Sequence, residues 1–277
     1  MSPKFGFTML GSGSHGNASV VHGPEGNLLL DAGVRAVEIP RRMKDVGVDP
    51  ASIRAIIVSH AHVDHTAGCA VFSKRDNIPV YLMPKTAMIM NRRKEMPENV
   101  KLFAPDSTFE LCGIQIQSFT VSHDTPTSGF AFSACGRKIG VATDLGFVSD
   151  SVREHLNGCD LLVLESNYDI YKLRTSKRSI YLKRRNAGKF GHLGNTGAMD
   201  ALGCLLAENT KHLIFAHISQ ECNDYKLVSK LAEARLAELN RQDVAFRIAT
   251  QDTPFETICL EEPKLPLCQS ADAICVE

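Results

Sequence analysis

Apolar residues in this chain come in short bursts rather than long stripes. Phe5–Leu10, Asn27–Asp31, Ala55–Ser59, Val80–Met83, Ile114–Val121, Phe130–Ala134, Lys138–Ala142, Leu161–Glu165, His212–Ala216, Val244–Ala249 and Phe255–Leu260 are four to eight residues long. That is strand length rather than helix length, and the punctuation between runs is rich in glycine. Helical periodicity is confined to a few places. Val152–Asn157 is short; Ala198–Glu208 is longer and follows Asn195 and Thr196, good capping residues. Over Lys226–Leu239 the apolar residues Leu227, Leu231, Ala234 and Leu239 form a stripe among charges. The first half therefore reads as mostly strands and the second as alternating strand and helix, which predicts a layered α/β fold around a mixed sheet. No residue-level repeat and no central linker divides the chain. One domain is expected over residues 1–260, with Glu261–Glu277, carrying Pro263 and Pro266, as a loosely attached tail.

Bulk properties narrow the setting. Lys+Arg and Asp+Glu balance at 31 each in 277 residues, so global charge argues for neither nucleic acid nor membrane. Nine cysteines, an odd number with no C-x-x-C spacing, fit reduced thiols in a cytoplasmic protein better than a disulfide framework. Met1–Leu10 lacks the apolar stretch of a secretory signal, and no run approaches the ~18 residues of a membrane span.

Chemistry concentrates in His60-Ala-His62-Val-Asp64-His65, which follows the strand-like Ala55–Ser59. His60 and His62 can project to one side of an extended chain, and Asp64 and His65 follow where a helix would begin. Two pairs of ligands at one strand end can start two adjacent metal sites. Imidazole and carboxylate without thiolate favour a catalytic site with open positions over a closed structural zinc site. His123, Asp144 and His217 each follow another predicted strand. Alone, each is more commonly a hydrogen-bonded strand-end residue; together with the hexamer they form a ligand set.

The order H-x-H-x-D-H, then His123, then Asp144 in a D-x-G context, then His217, resembles the metallo-β-lactamase superfamily over nearly the whole length. Asp31 in Leu-Leu-Leu-Asp31-Ala-Gly33 matches an early superfamily Asp. The resemblance implies a four-layer αββα sandwich in a single domain and two divalent metal ions, zinc or manganese. It places His60, His62 and His123 on the first metal and Asp64, His65 and His217 on the second. Asp144 would bridge the two, and Asp31 would support the ligands from behind. Asp64 would orient or deprotonate a water shared by the ions, whose hydroxide attacks the substrate. This chemistry serves phosphodiesters, thioesters and lactones alike.

Three further segments bear on the substrate. Gly11–Ala18, holding Ser12 and Ser14, joins two strands as a tight turn or as a loop offering N–H groups and hydroxyls to an anion. Glu165-Ser-Asn167-Tyr-Asp169 ends a strand, as a capping turn or a polar rim. Gly191-His192-Leu-Gly194-Asn195-Thr196 opens a helix, as a plain cap or a phosphate site. With Ala216-His217-Ile-Ser219 and Asn223, these motifs are similar to the YycJ/WalJ branch, a resemblance that implies a 5′→3′ DNA exonuclease. His15 and Gly194 depart from it, standing where Ser is common. Independently, Ile170–Met199 holds no acidic residue but eight basic ones, from Lys172 to Lys189 and including Arg184 and Arg185. The bland reading is a solvated helix or loop. The sharper one is a phosphate track beside the metals over residues 170–195, with Tyr171 and Tyr181 for stacking. The expected function is a dinuclear phosphodiesterase on DNA, with His192 on the scissile phosphate or leaving oxygen and Ser12, Ser14, Asn167, Asn195, Arg184 and Arg185 as substrate contacts. The alternatives are a hydrolase of a small cyclic phosphodiester, thioester or lactone, and a non-catalytic regulatory protein on the same fold.

Overall fold

Strands that are apolar at successive positions must be covered on both faces, and the architecture follows from that need. The computed structural model describes residues 5–261, so the expected tail lies, beyond Glu261, outside the described residues. The first half comprises β1 (Gly6–Gly11), β2 (Ala18–Gly23), β3 (Gly26–Leu30), α1 (Glu38–Asp45), β4 (Ile53–Ile57), α2 (Val63–Thr66), α3 (Cys69–Arg75), β5 (Val80–Leu82), α4 (Pro84–Arg92) and β6 (Val100–Leu102). The second comprises β7 (Thr108–Leu111), β8 (Ile114–Val121), β9 (Thr127–Ala134), β10 (Arg137–Ala142), α5 (Asp150–Leu156), β11 (Leu161–Glu165), α6 (Ile170–Thr175), α7 (Ile180–Asn186), α8 (Asn195–Leu205), β12 (His212–Ala216), α9 (Tyr225–Glu238), β13 (Ala245–Ile248) and β14 (Ile258–Cys259).

Among the described residues the strands form two seven-stranded sheets, ordered β14-β1-β2-β3-β4-β5-β6 and β13-β12-β11-β10-β9-β8-β7. In the first, β1–β3 form an antiparallel meander and β4–β6 follow in parallel. The second repeats this scheme, with β7–β10 antiparallel and β11–β13 in parallel. The halves thus share a topology that no sequence repeat reveals.

Period-two alternation sorts each strand between two cores. Leu28, Leu30, Leu161 and Val163 point between the sheets, meeting Phe7, Ile57, Phe130 and Phe132. Leu29 and Ile56 point outward onto Ile39 and Met43 of α1 and Phe72 of α3. Leu162 and Leu164 point outward onto α5, α8 and α9 through Leu156, Leu202 and Ala232. This is the four-layer αββα sandwich in one domain, and no helix among the described residues is long and apolar enough to cross a membrane.

Three expectations change in detail. The first half is not mostly strand: α1, α3 and α4 are helices of seven to nine residues, too short for a helical period to show. Helix α9 forms, but its buried line is Val228, Ala232 and Leu236; Ala234 of the expected stripe faces solvent. Helix α8 starts at Asn195 with Gly194 as its N-cap and no side-chain cap, because the Asn195 amide is turned inward.

His22 on β2 is buried against Thr8, whose Oγ1 lies 2.8 Å from Nε2. Burial pushes its pKa down to about 4, against a smaller upward pull from Asn27. The unfolded chain takes up this proton below about pH 6.5 and the folded chain only near 4, so the contribution to stability is full above 6.5 and lost as pH falls through that window. Wild type and His22→Gln unfolded by denaturant from pH 7 to 4 should therefore diverge in one direction, wild type losing about 3 kcal/mol relative to the variant. A constant difference would show that His22 takes up its proton equally in the folded and unfolded chain.

Candidate metal centre

The site lies where the carboxyl ends of β3, β4, β10, β11 and β12 converge with the end of β8, the edge at which open α/β sheets build binding sites. Three residues just past strand ends take the left-handed conformation: Asp31 (φ 58°), Asp144 (φ 57°) and His217 (φ 53°). Each such turn costs on the order of 1 kcal/mol, and Asp and His are among the residues that bear it best. Helix α2 begins directly after His62, so Asp64 and His65 sit in its first turns.

The fold brings together the seven residues expected as ligands. Candidate ligand atoms of His60, His62 and His123 lie within 4.8 Å of one another, as do those of Asp64, His65 and His217. Asp144 sits between the groups, one oxygen 3.2 Å from His65 Nε2 and the other 4.0 Å from His123 Nε2. Asp64 Oδ2 is 3.4 Å from His217 Nε2.

Each ring has its other nitrogen engaged by oxygen. Asp31 Oδ2 accepts from His65 Nδ1 at 2.7 Å and from the Ser59 hydroxyl at 2.9 Å. Since that hydroxyl donates to Asp31, it accepts from His60 Nδ1, 3.0 Å away. The Gly191 carbonyl accepts from His123 Nδ1 at 3.0 Å, and Glu165 Oε1 accepts from His217 Nδ1 at 2.7 Å. His62 Nε2 lies 3.2 Å from Asp124 Oδ1. Carbonyls and carboxylates only accept, so whenever a ring is neutral its opposite nitrogen is a lone pair aimed at the cluster. His62 Nδ1 and His123 Nε2 lie 3.3 Å apart; with both rings neutral they are two facing lone pairs, which a proton or a metal ion between them relieves. His60 Nε2 and Asp144 Oδ2 are buried without an aligned hydrogen bond, at a cost of roughly 1–3 kcal/mol apiece if left so. Imidazole and carboxylate donors oriented from behind by oxygen fit divalent metals.

The electrostatics agree. Burial, helped by the neighbouring His65, holds His60 well below the usual imidazole range and so neutral. Burial alone would raise the Asp144 carboxyl, but the His217 and His65 rings outweigh it and hold Asp144 well below the carboxylate range. Burial likewise opposes protonation of His65 and His217, yet the surrounding carboxylates, Asp31 and Asp144 on His65 and Asp144, Asp64 and Glu165 on His217, draw both well upward. The pocket attracts positive charge.

Glu165 was marked in the sequence only as a strand end, yet it is fully buried. Oε1 accepts from His192 Nδ1 at 2.9 Å as well as from His217, and Oε2 accepts from the backbone of Leu145 and Leu193 at 3.0 Å each. A charged residue closing the otherwise apolar run Leu161–Glu165 was the available signal. His192 thus stands beside the cluster, its ring centroid 5.1 Å from that of His217, and its Nε2 has no partner among the described residues. Asp124 and Gly33 were also missed. A Cβ on Gly33 would lie 1.6 Å from the Asp64 carbonyl oxygen, so glycine there lets the ligand loop close.

Several expected substrate contacts prove to be scaffold. Ser12 is buried; its hydroxyl accepts from the His217 backbone N–H at 2.8 Å and donates to Asn17 at 2.9 Å. The Asn167 amide donates to the His217 carbonyl at 2.7 Å. Asn195 is locked to Ser166 and Asn223 at 2.8 and 2.9 Å. These positions lie behind the ligands, where buried polar groups must be satisfied. Arg185 is committed to Asp124, with Nε 2.7 Å from Oδ2. Ser14 and Arg184 are exposed. Gly194 is explained by Tyr168, whose ring a Cβ would meet at 2.7 Å.

The family model described as Beta-lactamase superfamily domain matches residues 26–218. Exodeoxyribonuclease YycJ of Bacillus anthracis is 31% identical over 263 residues, covering 94% of this chain and 96% of its own. Exodeoxyribonuclease WalJ of Streptococcus pneumoniae D39 is 30% identical over 242 residues, covering 84% of this chain and 90% of its own. Among solved structures, the metallo-β-lactamase fold protein YhfI of Bacillus subtilis superimposes with a TM-score of 0.69 at 16% identity, covering 91% of this chain and 98% of its own.

Asp31 orients His65 without belonging to either ligand group. Asp31→Asn should keep the circular dichroism spectrum and weaken metal binding about 10- to 100-fold, read by competition against a chromophoric chelator; unchanged affinity would show that His65 needs no such support.

Proposed function

We propose, from the premise that this chain belongs to the β-lactamase superfamily and is a hydrolase, that it is a two-metal phosphodiesterase degrading DNA as a 5′→3′ exonuclease. His60, His62 and His123 would hold one divalent ion, Asp64, His65 and His217 the other, with Asp144 shared; N/O donors of this kind suit zinc or manganese. Such ions, when bound, supply an activated water and neutralise charge developing on phosphate oxygens. Asp64, more open than Asp144, would orient that water and accept its proton. His192, its Nδ1 held by Glu165, presents Nε2 towards the leaving oxygen.

The observation that carries DNA as substrate is the link between the basic segment and the centre. The segment folds as α6 and α7, and Arg185 near the end of α7 grips Asp124, whose other oxygen lies beside His62. Lys172 and Arg178 pair with Asp224 and Glu221, whereas Arg174, Lys177, Lys183, Arg184 and Lys189 form no ion pair among the described residues. The Lys183 ammonium donates to the Arg174 carbonyl at 2.8 Å, which leaves four uncommitted cations on the segment that Arg185 ties to the candidate ligands, a charge pattern that suits a phosphate backbone. The exodeoxyribonuclease relatives support the same reading, and the free cysteines among the described residues suit the reducing cytoplasm.

End-labelled DNA is the direct test. Wild type with zinc or manganese should shorten it from the 5′ end, and Asp144→Ala combined with His65→Ala should abolish the activity; persistence would expose a contaminating nuclease. His192→Ala should retain its metal and lose about 10²–10⁴-fold in kcat, whereas a fall in kcat that merely tracks lost metal would deny His192 a role in proton transfer.

A further inference from the structure

A pocket of about 780 Å³ opens beside the first ligand group, walled by the β8–β9 loop, Lys85 at the start of α4, and the side chains of Phe147 and Phe190. His123 and Asp124 belong to both its wall and the metal centre, so an occupant would abut the ions. Phe147 and Phe190 are 44% and 64% exposed, in a protein that otherwise buries its phenylalanines well. They are not on slack loops. The Gly146 N–H donates to the Ser122 carbonyl at 2.8 Å, and the Ser122 hydroxyl donates to the Lys189 carbonyl at 2.7 Å. A Cβ on Gly146 would lie 2.1 Å from that same Lys189 oxygen. The segments preceding both rings are therefore locked to the loop that carries His123, and the rings are held in solvent by a rigid frame.

The lining selects an occupant. Its walls are mostly apolar; the Asp124 carboxylate in them is paired with Arg185, the Thr120 and Ser122 hydroxyls donate to Asp106 and the Lys189 carbonyl, and Lys85 forms no ion pair among the described residues. Flat aromatic surface with one cation suits a heterocycle bearing a phosphate, and the volume falls in the range of about 300–1,000 Å³ that encloses a ligand of that size. A duplex would not enter. We propose that this pocket is the base subsite of the enzyme, taking the unpaired base of the terminal nucleotide on Phe147 and Phe190 while the Lys85 ammonium meets a phosphate oxygen. The proposal rests on the nuclease reading above and adds that the end of the strand must be frayed to be cut.

The test uses the metal-loaded protein and two labelled strands, identical except that one carries an abasic residue at its terminus. Wild type should prefer the base-bearing strand about tenfold or more in kcat/KM, since a base stacked on an aromatic side chain contributes on that scale. Phe147→Ala with Phe190→Ala, both exposed positions outside the ligand set, should lose that preference while keeping its metal and its rate on the abasic strand. In parallel, terminal 2-aminopurine in a phosphorothioate strand resistant to cleavage should brighten on binding wild type, as it leaves the neighbouring base, and not on binding the double variant. Equal losses on both strands, or a brightening that survives the double substitution, would overturn the subsite and leave the nuclease reading standing. A wild type that degrades neither strand would remove the nuclease reading and the subsite with it.

Discussion

A carboxylate sealed from water is tolerable only when its oxygens are met by donors, and the centre is built around two that satisfy this condition. Glu165 gathers four N–H groups, from Leu145, Leu193, His192 and His217. It thereby ties the ends of β10, β11 and β12 to the turn before α8. Asp31 does the same for the first sheet, taking the Ser59 backbone and hydroxyl together with the His65 ring. Because both accept from imidazole Nδ1, both decide which nitrogen is left as a lone pair. The geometry of the candidate ligands is therefore a consequence of satisfying buried anions, and the same anions make the pocket attractive to cations.

This arrangement also explains where strain is stored. Asp31, Asp144 and His217 leave their strands through the left-handed region, reversing the chain so that side chains from two sheets meet at one seam. The Gly11–Ala18 loop reaches under that seam: Asn17 donates to the Asp64 carbonyl at 3.3 Å and lies 3.1 Å from His65 Nε2, while Ser12 braces His217. On the open side, Arg185 and Asp124 join the basic helices to His62, and the Phe147–Phe190 pocket borders His123. The basic helices, the pocket and the candidate ligands thus share side chains.

Much of this was legible in advance. Strands β11 and β12 coincide with their apolar runs because strands covered on both faces announce themselves in composition, and β8 coincides with its alternating run because only one face is fully buried. Helices α1, α3 and α4 did not, being about two turns long, too short for a 3.6-residue period to repeat. The ligand candidates stood out because six residues held four metal-binding groups and because His123, Asp144 and His217 all follow strands. Asp124 and Glu165 were in plain view in the same motifs, but nothing local distinguishes a carboxylate that orients a ligand from one that caps a turn.

By itself the sequence determined the chemistry and the layering: imidazole and carboxylate at strand ends, and strands so apolar that both faces needed cover. Both are local properties, written in residue type and spacing. Tertiary structure alone decided which polar strand-end residues face the substrate side and which lie behind it. Ser12, Asn167 and Asn195 look like a binding rim when read along the chain and are scaffold once folded. Arg185 looks like a phosphate contact and is paired to Asp124. The reason is that the partner of a buried polar group comes from a distant part of the chain, and hydrogen-bond satisfaction is settled only when those parts pack together.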